Sequence, residues 1–217
     1  MTASVSDHLK TAPQLSLRFI AVWLRNLRVW RKLMLPSLLG NFGEPVLYLL
    51  ALGYGLGQFV GEVEGMRYMV FLASGIVCSA AMTGATFEAL YSAFTRLTQQ
   101  QTWAAMLAAP MNVDDVVLGE IAWAATKALI NASAIVLVAA VLGLVAGPEA
   151  LLVLPVILLA GFSFAGLAMI VTAISPSYDF FLYYFTLVMT PMLLLSGVFF
   201  PLSGLPDAVG IGAQFLP

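Results

Sequence analysis

The chain has 217 residues, of which 61% are hydrophobic and 9% charged, with a mean hydropathy of +0.98 and a formal net charge of −2. A soluble domain carries about 25% charged residues, so this composition excludes one and demands that lipid or neighbouring membrane helices cover the apolar surface. The apolar runs are about 20 residues long rather than short and alternating, which excludes a transmembrane barrel and predicts an all-α, polytopic membrane helix bundle. Nothing in the charge balance calls for a nucleic-acid partner. The one cysteine, Cys78, lies in an apolar run and has no internal disulfide partner.

In chain order, residues 1–14 are small and polar and are expected to be a disordered tail. They hold the single histidine, His8, for which no ligand or catalytic role is expected. The segment 15–35 then reads as an amphipathic interfacial helix. At about 100° per residue, Arg18, Arg25, Arg28 and Lys32 share one arc, with Arg31 at its edge. Phe19, Trp23, Trp30 and Met34 lie opposite, although Leu24 intrudes on the basic side. The basic arc is expected to meet anionic headgroups, with the apolar side in the membrane surface. Its charges are spread along the segment, unlike those of a cleaved signal peptide.

The remaining domain, 36–217, is expected to contain spans at about 37–58, 68–92, 121–146, 151–174 and 180–199. In the first, Glu44 precedes Pro45 near the inner end and is costly at depth, so it belongs at the interface or against protein. Gly53, Gly57 and Gly61 recur at four-residue intervals and read as a close-packing helix face. Glu62, Glu64 and Arg67 mark an outer loop. Glu88 and Tyr91 close the second span at the inner interface, and Lys127 in the third is expected to snorkel toward the surface. Gly147-Pro148-Glu149 is an outer turn, Ser175–Asp179 turns the chain inside, and Thr190-Pro191 predicts a kink in the fifth span. Eight of the nine cationic residues fall on one side of this topology and only Arg67 on the other, which predicts a cytoplasmic N-terminus. Residues 200–217 are too rich in Gly and Pro to span.

The longest polar interruption runs from Thr95 to Glu120. Its first half is helix-like from Gln99 to Ala109, with Trp103, Met106 and Leu107 at spacings of three and four. Pro110 should end that helix. Asn112 or Asp114 can cap a new one, with Asp115 near its positive end, and Val116, Val117 and Leu118 lead into the next span. The expected shape is a short helix across the foot of two membrane helices, joined by a capped elbow; an ordinary polar loop is the competing reading.

The chain carries no Walker motif, no zinc-type histidine pair, no serine nucleophile elbow and no cysteine–histidine pair. Few ionisable groups are expected at depth, which speaks against an ion-coupled carrier or an intramembrane enzyme. Apolar walls suit an amphipathic cargo. Tyr48, Tyr54, Tyr183 and Tyr184, with Glu44, are substrate-path candidates, the tyrosines able to stack on a sugar or polar head. Packing or interfacial anchoring competes at each of those tyrosines.

The stretch TWAAMLAAPMNVDDVVLGEIAWAATKA resembles the coupling segment and following helix of the ABC-2 type exporter permeases. In particular it is similar to the subfamily typified by the permease of the rhizobial nodulation-factor (lipo-chitooligosaccharide) exporter. LGNFGEPVLYLLALGYGLG (Leu39 to Gly57) and SPSYDFFLYYFTLVMTPMLLLSGVFFP (Ser175 to Pro201) resemble it too, so the likeness runs from about Trp30 to the last residue. The resemblance implies a permease subunit that is not itself an enzyme, in a bacterial plasma membrane. It implies a second permease copy as homodimer partner and an ATP-binding subunit that holds ATP and Mg, with no cofactor on this chain. The coupling segment would comprise Trp103, Met106, Leu107, Pro110, Asp114, Asp115 and Glu120, with Trp103 and Met106 as anchors. In that family, residues 200–217 correspond to an outer re-entrant region followed by a sixth span, so the chain is expected to be C-terminally truncated. The alternative is a non-transporting scaffold or an intramembrane enzyme.

Overall fold

The computed structural model describes residues 16–63, 65–145 and 147–201, without the side chains of residues 38–42, 44, 45 and 148. The expectations for His8, Lys10, the Glu44 side chain, Glu64 and residues 202–217 lie outside these. Helix α1 (Phe19–Lys32) is separated from α2 (Met34–Gly55) by the non-helical Leu33, and a short α3 (Gly57–Val60) follows. Strands β1 (Glu62–Val63) and β2 (Met66–Arg67) pair antiparallel, with Glu62 opposite Arg67. Helix α4 (Tyr68–Phe87) continues through two π-helical segments, Glu88–Ser92 and Thr95–Gln99. A short α5 (Thr102–Leu107) leads to the long α6 (Val113–Val141). After a 3-10 turn, Pro148–Leu152, come α7 (Val153–Ile174), α8 (Asp179–Tyr184), a π segment, Phe185–Met189, and α9 (Thr190–Leu195).

Among the described residues three helical stretches are long and apolar enough to cross a membrane: Tyr68–Gln99, Val113–Val141 and Glu149–Ile174. Val46–Val60 and Asp179–Leu195 are apolar but shorter. Lipid tails are as apolar as leucine, so these helices associate through close packing of small residues rather than through the hydrophobic effect. The pattern follows. Ala124, Ala125, Ala128 and Ala132 of α6 are fully buried between α4 and α7. Gly161 of α7 lies so near that a Cβ there would be 3.1 Å from the Ala125 Cα. Leu151, Leu159 and Ile170, on the far side of that stretch, stay exposed and supply the lipid-facing surface.

Several expectations change in detail. The second span does not end near Ser92; the helix runs on to Gln99 because the polar residues after Glu88 find partners inside the protein. The break falls at Gln101, whose φ of 51° is left-handed and whose Nε2 donates back to the Thr98 carbonyl at 2.8 Å. The helix expected over Gln99–Ala109 is therefore only Thr102–Leu107. The third span starts at Val113, eight residues before the expected Ile121, behind a capping box formed by Asn112 and Asp115. Of the three spaced glycines, Gly53 abuts the Met69 side chain, whereas Gly61 is a turn residue at φ 71° with open space around its α-carbon. The irregularity expected at Thr190-Pro191 takes the form of the preceding π segment, with the Thr190 hydroxyl donating to the Phe185 carbonyl at 3.0 Å.

Candidate functional site

The end of the bundle where α1, α4, α5 and α6 meet carries a network of charges that the sequence does not announce. Glu88, on the first π segment, is buried. It accepts from Lys127 Nζ (2.9 Å), Arg96 Nη2 (3.0 Å), the Trp123 indole N–H (2.9 Å) and the Ser92 hydroxyl (3.1 Å). Glu120 is also buried and takes a two-pronged contact from Arg96, with Nε at 2.9 Å and Nη2 at 2.6 Å. The rigid guanidinium fork suits that geometry, and each bond is strengthened by charge. Asn26 of α1 donates to Glu120 Oε2 at 3.1 Å and accepts from Arg25 Nη1 at 2.8 Å. Two carboxylates thus face two cations, each carboxylate with further donors. Burial without such compensation would cost several kcal/mol per ion, on the order of the idealised desolvation penalty after relaxation.

This geometry bears on three expectations. Lys127 turns inward to Glu88 instead of snorkelling, because a buried carboxylate within reach outweighs a long path to the surface. Glu120 belongs to the charge network. Helix α1 packs against α6, so part of the face expected to meet the membrane surface is covered by protein. Val22 and Asn26 are buried, the Trp23 indole donates to Thr126 Oγ1 at 2.9 Å, and Trp30 meets Trp123 edge to face at 6.1 Å. Arg25 is drawn toward the network. Burial first, then the nearby Arg96, hold its guanidinium below its usual pKa, and Glu120 opposes the shift. Arg28 and Lys32 remain exposed, as the basic arc requires. Arg18 is exposed too, but donates to the Pro110 carbonyl.

A cavity of about 590 Å³ opens above this network. Glu88, Ser92 and Lys127 lie at its charged end, Ser79, Thr83 and Asn131 midway, and Tyr48, Leu193 and Phe199 toward the other end. Of the substrate-path candidates, Tyr48 lines it, with its ring 6.4 Å from that of Phe199. Tyr54 and Tyr183 are exposed on the outside of the chain, and Tyr184 is half-buried, none of them on the cavity wall. One flank of the cavity is braced by aromatic packing of α4 and its extension on α8 and the residues at its two ends: Phe87 on Phe185 (4.6 Å), Phe94 on Tyr178 (4.9 Å) and Tyr91 on Phe181 (5.1 Å).

The coupling-segment candidates sit at the same charged end. Helix α5 does lie between two long helices, followed by an elbow at Pro110 and the capped start of α6. Asp115 is buried there, accepting from the Asn112 N–H at 3.2 Å and from the Ser16 hydroxyl at 2.6 Å. Asp114 is half-buried. With Arg18 on the Pro110 carbonyl, the start of α1 is strapped to the elbow. Trp103 departs from its expected place as an outward anchor. It is 8% exposed and packs into the core, and its Nε1 is the one buried side-chain polar atom without a partner among the described residues. The outer face of α5 consists of Ala104, Ala105, Leu107 and Ala108, with Met106 half-buried. Asn26 and Asn131 were not anticipated. Two-turn spacing of Glu120 and Lys127 on one helix face is the signal that could have found the network.

A bundle of apolar helices around a cavity, with a short helix between two stretches long enough to cross a membrane, fits a membrane permease. The chain belongs to the ABC-2 type transporter family, which it matches over residues 18–217. It is 51% identical over 211 residues to Nodulation protein J of Rhizobium leguminosarum bv. trifolii, covering 97% of this chain and 80% of the relative. Nodulation protein J of Sinorhizobium fredii is 50% identical over 199 residues, covering 92% and 76%. That of Bradyrhizobium diazoefficiens is 46% identical over 205 residues, covering 94% and 78%. No solved structure matches the chain.

Proposed function

We propose that this permease is the membrane half of an ATP-driven exporter that moves an amphipathic or lipid-linked substrate out of the cytoplasm. A lipo-oligosaccharide, a polysaccharide, a lipid or a drug fits that class. The observation that carries this reading is α5, a short helix seated by the buried Trp103 and flanked by two helices long enough to cross a membrane. Force delivered to α5 reaches both long helices at once, through the Gln101 break on one side and the Pro110 elbow on the other. The name shared by the relatives, together with the resemblance to nodulation-factor permeases, favours a lipid-linked oligosaccharide among the cargo classes.

In this reading an ATP-binding subunit docks on the exposed face of α5 and holds ATP and its magnesium ion. Two permease copies assemble with two such subunits, the N-terminus lies in the cytoplasm, and the membrane is the bacterial plasma membrane. Trp103 acts from beneath, as the post that keeps α5 seated, while Leu107, 38% exposed, offers the contact.

Co-expression with the ATP-binding subunit tests the assignment. Leu107→Glu places a charge in the contact and is expected to lower co-purification of the subunit at least tenfold, about 1.4 kcal/mol, with membrane levels unchanged. Pro110→Ala is expected to preserve assembly but uncouple ATP hydrolysis from export, by letting α5 and α6 merge. If both variants assemble and transport like the parent, α5 is a plain connection and the reading falls.

A further inference from the structure

We propose that the groove between α1 and the extension of α4 holds the phosphate of an anionic membrane lipid, with Arg25 as its chief contact. The inference goes beyond the exporter reading and does not depend on it. The groove, a second cavity of about 280 Å³, is lined by Arg25 and Val29 of α1 and by Leu33 just after it. Glu88, Arg96 and Lys127 line it from α6 and the extension of α4.

Arg25 carries the assignment. Within the charge network Glu88 and Glu120 are matched by Arg96 and Lys127. Arg25 adds a third cation, and among the described residues no carboxylate lies within ion-pair distance of it. Its Nη1 donates to the Asn26 amide oxygen at 2.8 Å, while Nε and Nη2 have no partner among the described residues. Arg96 likewise uses Nε and Nη2 on the two carboxylates and has no partner at Nη1 among the described residues. Two guanidinium groups with spare donors thus line one groove, an arrangement that suits the several oxygens of a phosphate. Burial and the nearby Arg96 weigh against the charge on Arg25, and an anion seated between the two would relieve both effects.

Charge selects the head group. Three cations against two carboxylates leave an excess of one positive charge. Glu88, the carboxylate on the groove wall, is held by four donors and does not cancel that excess. A lipid with one net negative charge matches it, whereas a zwitterionic head brings a cation of its own. The lips of the groove select a lipid over a free phosphate. Val29 is 46% and Leu33 59% exposed, apolar surface that acyl chains would cover and a soluble anion would leave bare. Basic pockets between membrane helices take anionic head groups in this way, and the exposed Lys32 adds attraction nearby.

The test uses the full chain in dodecyl maltoside micelles with a phosphatidylglycerol whose acyl chain carries a diazirine, its cross-links mapped by mass spectrometry. Labelling is expected on Val29 and Leu33 and should persist in high salt, because half-buried charges are screened less than exposed ones. Unlabelled phosphatidylglycerol should compete at concentrations about tenfold lower than phosphatidylcholine. Arg25→Gln is expected to reduce the labelling about tenfold, in the range of a lost charged hydrogen bond. Arg28→Gln, an exposed cation off the groove wall, should leave it nearly unchanged. Val29→Glu gives Arg25 a carboxylate one turn along α1 and should displace the lipid as well; it decides the matter if Arg25→Gln fails to insert. Equal losses from Arg25→Gln and Arg28→Gln, or labelling abolished by salt, would mean a diffuse attraction to a basic helix and would overturn the proposal. Equal competition by phosphatidylcholine overturns it too. So does displacement by millimolar inorganic phosphate or glycerol phosphate, since the groove would then take a free anion.

Discussion

Arg96 holds two buried carboxylates that come from different helices, and its removal would strand both. Arg96→Met is therefore expected to destabilise the protein by about 3–5 kcal/mol, read as a large fall in the thermal midpoint in detergent micelles. Lys127→Met should cost less, because Glu88 keeps Arg96, Trp123 and Ser92. The double variant Arg96→Met/Glu120→Met should recover part of the loss, since one stranded charge leaves with its partner. A double variant no more stable than Arg96→Met would show that the pair contributes little. At this scale the sequence was least legible. Lys127 and Glu88 are 39 positions apart, and no local pattern says that a lysine near a membrane surface will turn inward. Trp103 illustrates the same gap: periodicity put it on a helix face, but which face met the bundle depended on Gln101 breaking the helix where no glycine or proline marks it.

Helices α1 and α6 touch at Gly119, and this contact fixes α1 against the bundle. A Cβ at Gly119 would fall 2.5 Å from the Val22 Cβ and 2.8 Å from the Phe19 carbonyl oxygen. Gly119→Val is thus expected to lift α1, seen as faster amide hydrogen exchange across Phe19–Lys32 with α7 unchanged. Gly166→Ala, where nothing lies within 4 Å, serves as the silent control; equal effects from the two would mean that α1 is not seated by this contact. Elements were more legible than residues. The 3.6-residue period located α1, and the capping residues located the start of α6, because both signals are local. What α1 packs against was hidden, since an apolar helix stripe looks the same whether it meets lipid or protein. Asn26, a polar residue inside that stripe, was the sign of a protein partner.

For the molecule as a whole, composition alone specified a helical membrane bundle, because hydrocarbon admits few other backbones. Orientation is the part of that reading still to be measured. In a Cys78→Ala background, single cysteines at Glu62 and Glu149 are expected to react with an impermeant thiol reagent in intact cells. Cysteines at Gln100 and Ser177 should react only after the membrane is opened. All four positions are exposed, so the reverse pattern would invert the topology rather than reflect burial.

The two buried carboxylates and their two cations have a consequence for how the protein is made. Glu88 and Arg96 lie on the continuous helix Tyr68–Gln99, and Glu120 and Lys127 lie on the next long one, Val113–Val141. Every charge of the set is thus supplied by one helical hairpin, and the set sums to zero. A nascent chain can release that hairpin from the insertion machinery as a pair, already neutral, with no need to wait for later helices or for another subunit to compensate its charges. Delivered one helix at a time, the first would keep its internal Glu88–Arg96 pair, but Glu120 and Lys127 of the second would enter lipid without the partners the first supplies.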